Sequence, residues 1–302
     1  MTRSGIGAFL VERCLPVYPV FLTLWVLAVE SISVVVGDSA GPWRPSWDTA
    51  IKVLALIAAG AFLRMVDDQK DLEYDRCHHP TRPLVAGRIT TGELRVAMVP
   101  AGAAALALAA AVSPWAVALL AAALAYSLAL WWTETKVTVV RDNAIANLAA
   151  VCPMQFLVTG FSMTGDPGVG DAPWWRLAAV PLVFTSAFLH VEIARKTTRV
   201  SGRPVGVDDR HSYSELIGPT ASAVMACGLG LFAVFMELLV TMPWSWTGRW
   251  WPIAWLPLAT AALPLVSGWS FLRAGARDHP LGLPTVFVVV FYLSIIGQGL
   301  VS

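Results

Sequence analysis

Charge is scarce in this chain of 302 residues: only 14% are Asp, Glu, Lys or Arg. The net charge is +1, which argues against nucleic acid as a partner. Cysteine is scarcer still. Cys14, Cys77, Cys152 and Cys227 are scattered without CxxC spacing, so neither a disulfide framework nor a zinc site follows from them. No GxGxxG, Walker loop or HExxH occurs, which leaves nucleotide-binding and zincin readings without support. His78, His79 and His211 have no ligand spacing and read as solvated loop residues. Met1 to Pro16 holds no short apolar stretch followed by a small-residue cleavage site. The segment that begins at Val17 therefore reads as a retained span, not a removed signal.

What the chain has in excess is apolar sequence. Hydrophobic residues make up 57% of it, and the mean hydropathy is +0.65, as in a polytopic membrane protein. Nine spans are expected, at about 17–36, 48–66, 94–113, 115–132, 142–164, 177–194, 217–241, 251–272 and 281–301. Pro114 splits one long Ala-rich run into two of them. Pro153 and Pro264 are expected to kink theirs. The Ala-rich stretches 101–111 and 116–125 allow close helix approach. One domain, residues 1–302, is expected, all α-helical, with the helices bundled in the membrane.

Orientation follows from basic residues. With the N-terminus in the cytoplasm, seventeen of the 21 Lys and Arg fall on the cytoplasmic side. Only Arg44, Lys52, Arg176 and Arg249 fall on the other. Nine of the 14 Trp (Trp43, Trp47, Trp115, Trp174, Trp175, Trp244, Trp246, Trp250 and Trp251) sit at the expected outer ends. They read as an interfacial aromatic belt, not as a stacking platform for nucleic acid. The longer loops, 64–93 and 195–216, both fall on the cytoplasmic side and carry the polar chemistry.

The first of these loops opens with Asp67-Asp68-Gln69-Lys70-Asp71-Leu72-Glu73-Tyr74-Asp75, a DDxxDxxxD run at the end of the apolar stretch 51–66. In a continuous helix Asp67, Asp71 and Asp75 are i, i+4 and i+8, with Asp68 beside them, so at least three carboxylates share a face. Unpaired carboxylates at that spacing repel one another, and the pattern asks for a cation. Hard clustered oxygens suit Mg²⁺, which completes its shell with water and substrate phosphates. Arg82-Pro83-Leu84-Val85-Ala86-Gly87-Arg88 follows as a turn with two arginines, whose forks match phosphate oxygens.

The run and the TRPLVAGRIT segment after it closely resemble the first signature of the UbiA superfamily of intramembrane prenyltransferases, NDxxDxxxD followed by an RPLxxGxIS-like stretch. Asp67 stands where that family usually has Asn. The resemblance implies nine transmembrane helices around a prenyl-binding chamber, with Asp67, Asp68, Asp71 and Asp75 holding Mg²⁺. The family's second Asp-rich motif corresponds here to His190–Arg199. Glu192 keeps one carboxylate as a further metal ligand, but Arg195, Lys196 and Arg199 stand where aspartates are expected. Asp208 and Asp209 come later. These cations are expected to hold diphosphate directly, and Glu192 and Arg195, one turn apart, to pair. A third patch, Thr133–Lys136 with Arg141, Asn143 and Asn147, lies where the family places a phosphate-binding cation. Lys136 and Arg141 are candidates for it, and Asn143 and Asn147 share a helix face just inside the membrane.

Two functions follow from the resemblance. The first is transfer of a prenyl group from an isoprenoid diphosphate to an acceptor, expected to be aromatic, with Asp68, Asp71, Lys136 and Arg195 as the catalytic residues. The second uses the same ionisation without an acceptor, as a terpene cyclase, with aromatics such as Trp25, Phe156, Phe161, Phe184, Phe188, Trp255, Trp269 and Tyr292 near the cation. A carrier without chemistry would place its carboxylates near the bilayer midplane, not at its cytoplasmic edge.

Overall fold

The computed structural model describes residues 5–37, 41–166, 169, 172–199, 213–274 and 278–302. Asp208, Asp209 and His211 of the second loop lie outside the described residues. Among the described residues all regular elements are helical, and nine helices are long and apolar enough to cross a bilayer. All nine expected spans are therefore present, with ends shifted by a few residues. The chain divides into two compact units.

The first unit comprises residues 1–27, 45–136 and 160–165. It contains α1 (Ile6–Arg13), the first part of α2 (Val17–Val36), then α3 (Trp47–Lys70), α4 (Leu72–His78), α5 (Thr91–Val112) and α6 (Pro114–Lys136). Two helices start from capping boxes. Ser46 and Thr49 exchange side-chain and backbone bonds before α3, as do Thr90 and Glu93 before α5. The Ala-rich faces of α5 and α6 meet as expected. Ala105, Ala109, Ala116, Leu120 and Ala123 are buried, and a Cβ on Gly102 would just touch the Phe62 ring on α3, at 3.5 Å. Pro114 occupies the first position of α6, where its missing N–H costs nothing.

The second unit comprises residues 28–44, 137–159 and 166–302. It holds the rest of α2, then α7 (Thr138–Asp142), most of α8 (Ala144–Ser162), α9 (Trp174–Arg195), α10 (Tyr213–Ile217) and α11 (Pro219–Thr241). After these come α12 (Leu256–Thr260), α13 (Ala262–Ala274) and α14 (Gly282–Gly299). The eighth span does more than kink at Pro264. Proline has no N–H to bond the carbonyl four residues back, and the helix stops at Thr260 and restarts at Ala262. At the break Thr260 Oγ1 donates to the Pro257 carbonyl at 2.6 Å, and in the turn before α12 the Ala254 carbonyl accepts from Gln298 Nε2 of α14 at 2.9 Å.

The four basic residues assigned to the outer side do not all meet water. Lys52 is 1% exposed and donates to the Ser162 carbonyl at 3.0 Å, and Arg176 is buried with Nε 2.8 Å from the Val240 carbonyl. Trp47, Trp115 and Trp174 are the most exposed of the tryptophans, as an interfacial belt requires.

The tightest crossing is between α14 and the second part of α2. A Cβ on Gly299 would stand 2.7 Å from the Ser31 Cβ and 2.9 Å from its Cα. Only glycine fits there, because the clash is with backbone and not with a movable side-chain end. Gly299→Ala is expected to lower stability by about 1–3 kcal/mol through overpacking. Thermal unfolding of the purified protein in detergent checks this; an unchanged midpoint would mean that the helices separate freely.

Candidate functional site

The acidic run keeps its helical spacing through a change of element. α3 ends at Lys70, and Asp71 (φ −90°, ψ 10°) joins it to α4. The i+4 ladder continues across the joint. Asp71 N–H donates to the Asp67 carbonyl (2.9 Å), Asp75 N–H to Asp71 (2.8 Å) and His79 N–H to Asp75 (2.7 Å). The expected common face is therefore real in the backbone, although the four side chains have different fates.

Asp68 is buried, with a side chain 1% exposed. Its two oxygens accept from Arg13 Nε and Nη2, each at 2.8 Å, and Arg64 Nη2 lies 2.8 Å from Oδ1. Asp75 is buried as well and pairs with Arg82. Asp67 stays open, at 46% exposure, and among the described residues its ion-pair partner is Lys70, with Nζ at 3.8 Å. Asp71 forms no ion pair among the described residues. Burial pushes its carboxyl up to about 6, against the pull of Lys70 and with the help of Asp67, Glu134 and Asp75. Arginines thus take two of the four aspartates, leaving Asp67 and Asp71, one turn apart, without an arginine partner among the described residues. Among the described residues no three His, Cys, Asp or Glu side chains converge as a metal-binding group.

Neighbouring elements hold this arrangement. Gln69 donates to the Met65 carbonyl and accepts from Arg95 Nε of α5 at 3.2 Å, and Arg95 lies over the Trp131 ring of α6. Lys70 Nζ is 3.2 Å from both Glu134 oxygens at the end of α6. The arginine-bearing turn closes at Gly87, whose φ of 68° is the left-handed conformation that favours glycine. Arg88 then pairs with Glu12 of α1 (Nη2 to Oε2, 2.7 Å), and the Gly5 N–H reaches the Arg88 carbonyl at 3.1 Å. Lys136, at the end of α6, is exposed and has no ion-pair partner among the described residues. Burial and the Asp68 charge raise the Cys14 thiol to about 11, so it is held as the thiol and not the thiolate at neutral pH.

In the second unit two of the cations expected to hold diphosphate are tied to Glu192. Arg195 is 2.8 Å and Lys196 2.7 Å from Glu192, bearing out the expected pairing. Lys196 also lies 5.8 Å from the centre of the Tyr213 ring. Burial raises the Tyr213 phenol above its usual range, with the Glu192 charge adding to the effect. Arg199 is spent structurally, donating to the Phe271 and Leu272 carbonyls at the end of α13 and stacking over the Phe271 ring. Arg141 pairs with its neighbour Asp142 at 2.8 Å. Asn143 turns its side-chain oxygen to the N–H groups of Ile145 and Ala146, both at 3.0 Å, which caps α8. Asn147 follows one turn later.

Sequence reasoning missed three members of the site. Arg64 had a signal, since it lies four residues before Asp68 and so on its face. Arg13 had none, because 55 residues separate it from Asp68. Glu134 was visible only as part of a polar patch.

An intramembrane helical protein with an acidic run at the end of its second span is the class this fold and site define. The UbiA prenyltransferase family matches residues 20–291, and the chain belongs to that family. Comparison with curated protein sequences finds no match. Among solved structures, a UbiA homologue from Aeropyrum pernix K1 is 18% identical, covering 92% of this chain and 96% of its own, with a TM-score of 0.63. A UbiA homologue from Archaeoglobus fulgidus, determined with GPP and Mg²⁺, is 15% identical over 93% and 97%, with a TM-score of 0.58. Digeranylgeranylglyceryl phosphate synthase is 16% identical over 93% and 99%, with a TM-score of 0.59. At these identities the likeness is one of fold.

The double guanidinium on Asp68 gives a stability prediction. Arg13→Ala leaves a buried carboxylate with one partner and is expected to cost about 1–3 kcal/mol. Adding Asp68→Asn to it should recover part of the loss. Unfolding in detergent of both variants checks this, and no loss in Arg13→Ala would show that Arg64 alone suffices.

Proposed function

We propose that the chain is a Mg²⁺-dependent intramembrane enzyme that ionises an isoprenoid diphosphate and passes the prenyl group to an acceptor, an aromatic one on the resemblance. The carrying observation is the i, i+4, i+8 ladder of Asp67, Asp71 and Asp75 at the end of α3, in a chain of the UbiA family. The Archaeoglobus fulgidus homologue with GPP and Mg²⁺ supports the choice of substrate and metal. The donor set fits a hard cation: Asp67 is open and Asp71 has no ion pair among the described residues, one turn apart. When bound, the metal supplies Lewis-acid neutralisation that makes diphosphate a better leaving group.

The chain's own residues divide the remaining tasks. Asp67 and Asp71 offer carboxylate oxygens, and Asp75 joins them when Arg82 turns from it to phosphate. Asp68, locked by Arg13 and Arg64, fixes the end of α3 and orients its neighbours. Lys136, a cation with no ion-pair partner among the described residues, is proposed to meet a diphosphate oxygen. In the second unit Arg195 and Lys196 are proposed phosphate ligands in their own right, with Glu192 holding them in place or serving as a ligand itself. Arg141, Asn143 and Asn147 are proposed to support binding, Asn143 through the helix start that it caps. The positive-inside bias supports a cytoplasmic acidic end.

One observation favours the cyclising variant as a second reading. Of the aromatics considered for cation contact, Trp25, Phe161, Phe184 and Tyr292 are fully buried, and the rings of Phe184 and Tyr292 are 5.3 Å apart. Trp269, by contrast, is more than half exposed.

Asp71→Asn is expected to lower turnover of C10–C20 diphosphates with Mg²⁺ by at least about 100-fold, the scale of losing a group that stabilises developing charge. Full activity in that variant, or in EDTA, rejects the reading. The same incubation without acceptor separates the two reactions: cyclic hydrocarbon or alcohol marks a cyclase, and unreacted diphosphate marks a transferase. Because Mg²⁺ binds the carboxylate and not the acid, its affinity should fall as pH drops through about 6, where Asp71 takes up its proton. A metal titration across pH checks this, with Asp71→Asn expected to flatten the profile.

A further inference from the structure

The acidic run contains its own cation, and its placement is informative. Lys70 lies between Asp67 and Asp71 in sequence, and its ammonium is near three carboxylates. It does not sit equally among them. Both oxygens of Glu134 are at 3.2 Å, whereas Asp67 is at 3.8 Å and Asp71 is beyond ion-pair distance. Glu134 is also the most enclosed of the open partners, with a side chain 7% exposed against 46% for Asp67. Attraction is stronger in the drier place, so the ammonium is anchored on Glu134.

We infer that Glu134 is a positioning residue that draws Lys70 off Asp67 and Asp71 and so keeps those two carboxylates free for a divalent cation. The inference rests on the cation-binding reading above and goes beyond it, because it assigns a role to a residue outside the acidic run. The geometry has a reason. An ammonium is a compact point charge with three donors on a flexible stem, and it binds whichever carboxylate lies nearest. Without Glu134 the nearest are Asp67 and Asp71, and Lys70 would then occupy them. The end of α6 thereby sets the charge state of the end of α3. Arg95, held by Gln69 and stacked on Trp131, keeps these ends together.

The test uses Mn²⁺ alone as the probe, read by electron paramagnetic resonance on the full-length protein in detergent. Glu134→Gln should weaken Mn²⁺ binding at least tenfold. Glu134→Gln combined with Lys70→Met should restore it to near the starting value, since the competing ammonium is gone. Lys70→Met alone should change binding by less than about threefold, because Glu134 already holds the ammonium away; a tightening of about tenfold would show it still competing and overturn the inference. Unchanged binding in Glu134→Gln overturns the inference. So does a double variant as weak as the single one, which would mean that Glu134 only holds structure. If Glu134→Gln does not fold, Glu134→Asp decides, since its shorter stem reaches the ammonium less well: weaker Mn²⁺ binding, restored by adding Lys70→Met, supports the idea, and unchanged binding rejects it. Failure of the unaltered protein to bind Mn²⁺ removes the cation site itself and, with it, the inference.

Discussion

A carboxylate buried at the end of an apolar helix must be matched by opposite charge, and Asp68 is matched twice. Arg13 arrives from α1 and Arg64 from one turn back on α3, so one side chain joins the N-terminal helix to the second span. Breaking such a pairing costs more than forming it yields, because an unpaired ion is left without water. The rest of the first unit's polar end is organised around that requirement. α1, once docked, presents Glu12 to Arg88 and so holds the turn that carries Arg82. Arg82 in turn meets Asp75. The acidic run is therefore not a loose brush of carboxylates but one with a locked half and an open half.

The same rule governs the second unit with the signs reversed. One carboxylate, Glu192, gathers Arg195 and Lys196, whereas Arg199 is drawn off to the carbonyls that end α13. The cation-rich stretch is consequently less free than its composition suggests.

Most of the fold was legible because hydropathy in a bilayer is a one-dimensional property. A run of apolar residues is a span whatever it packs against, and Pro114 and the Ala-rich faces act locally. The acidic ladder was legible for the same reason, since i+4 spacing is set by the chain itself. Pairings between distant segments were not. Nothing near Arg13 announces Asp68, and nothing near Glu134 announces Lys70. Lys52 and Arg176, counted as outer charges, turned inward to carbonyls because a long side chain can find a backbone acceptor that no sequence window contains. Asn143 has a cap's composition and sits at a cap, yet its place beside other polar residues suggested a ligand.

The interrupted eighth span carries a consequence of its own. Where α12 gives way to α13, the Pro257 carbonyl, which a continuous helix would have bonded through its backbone, accepts a hydroxyl instead, and at the turn that opens α12 the Ala254 carbonyl accepts an amide. Gln298 belongs to α14 by sequence but serves that opening turn in its neighbour. In a layer from which water is excluded the two are bound together: removing the amide would strand a carbonyl, and straightening the turn would strand a polar side chain in oil.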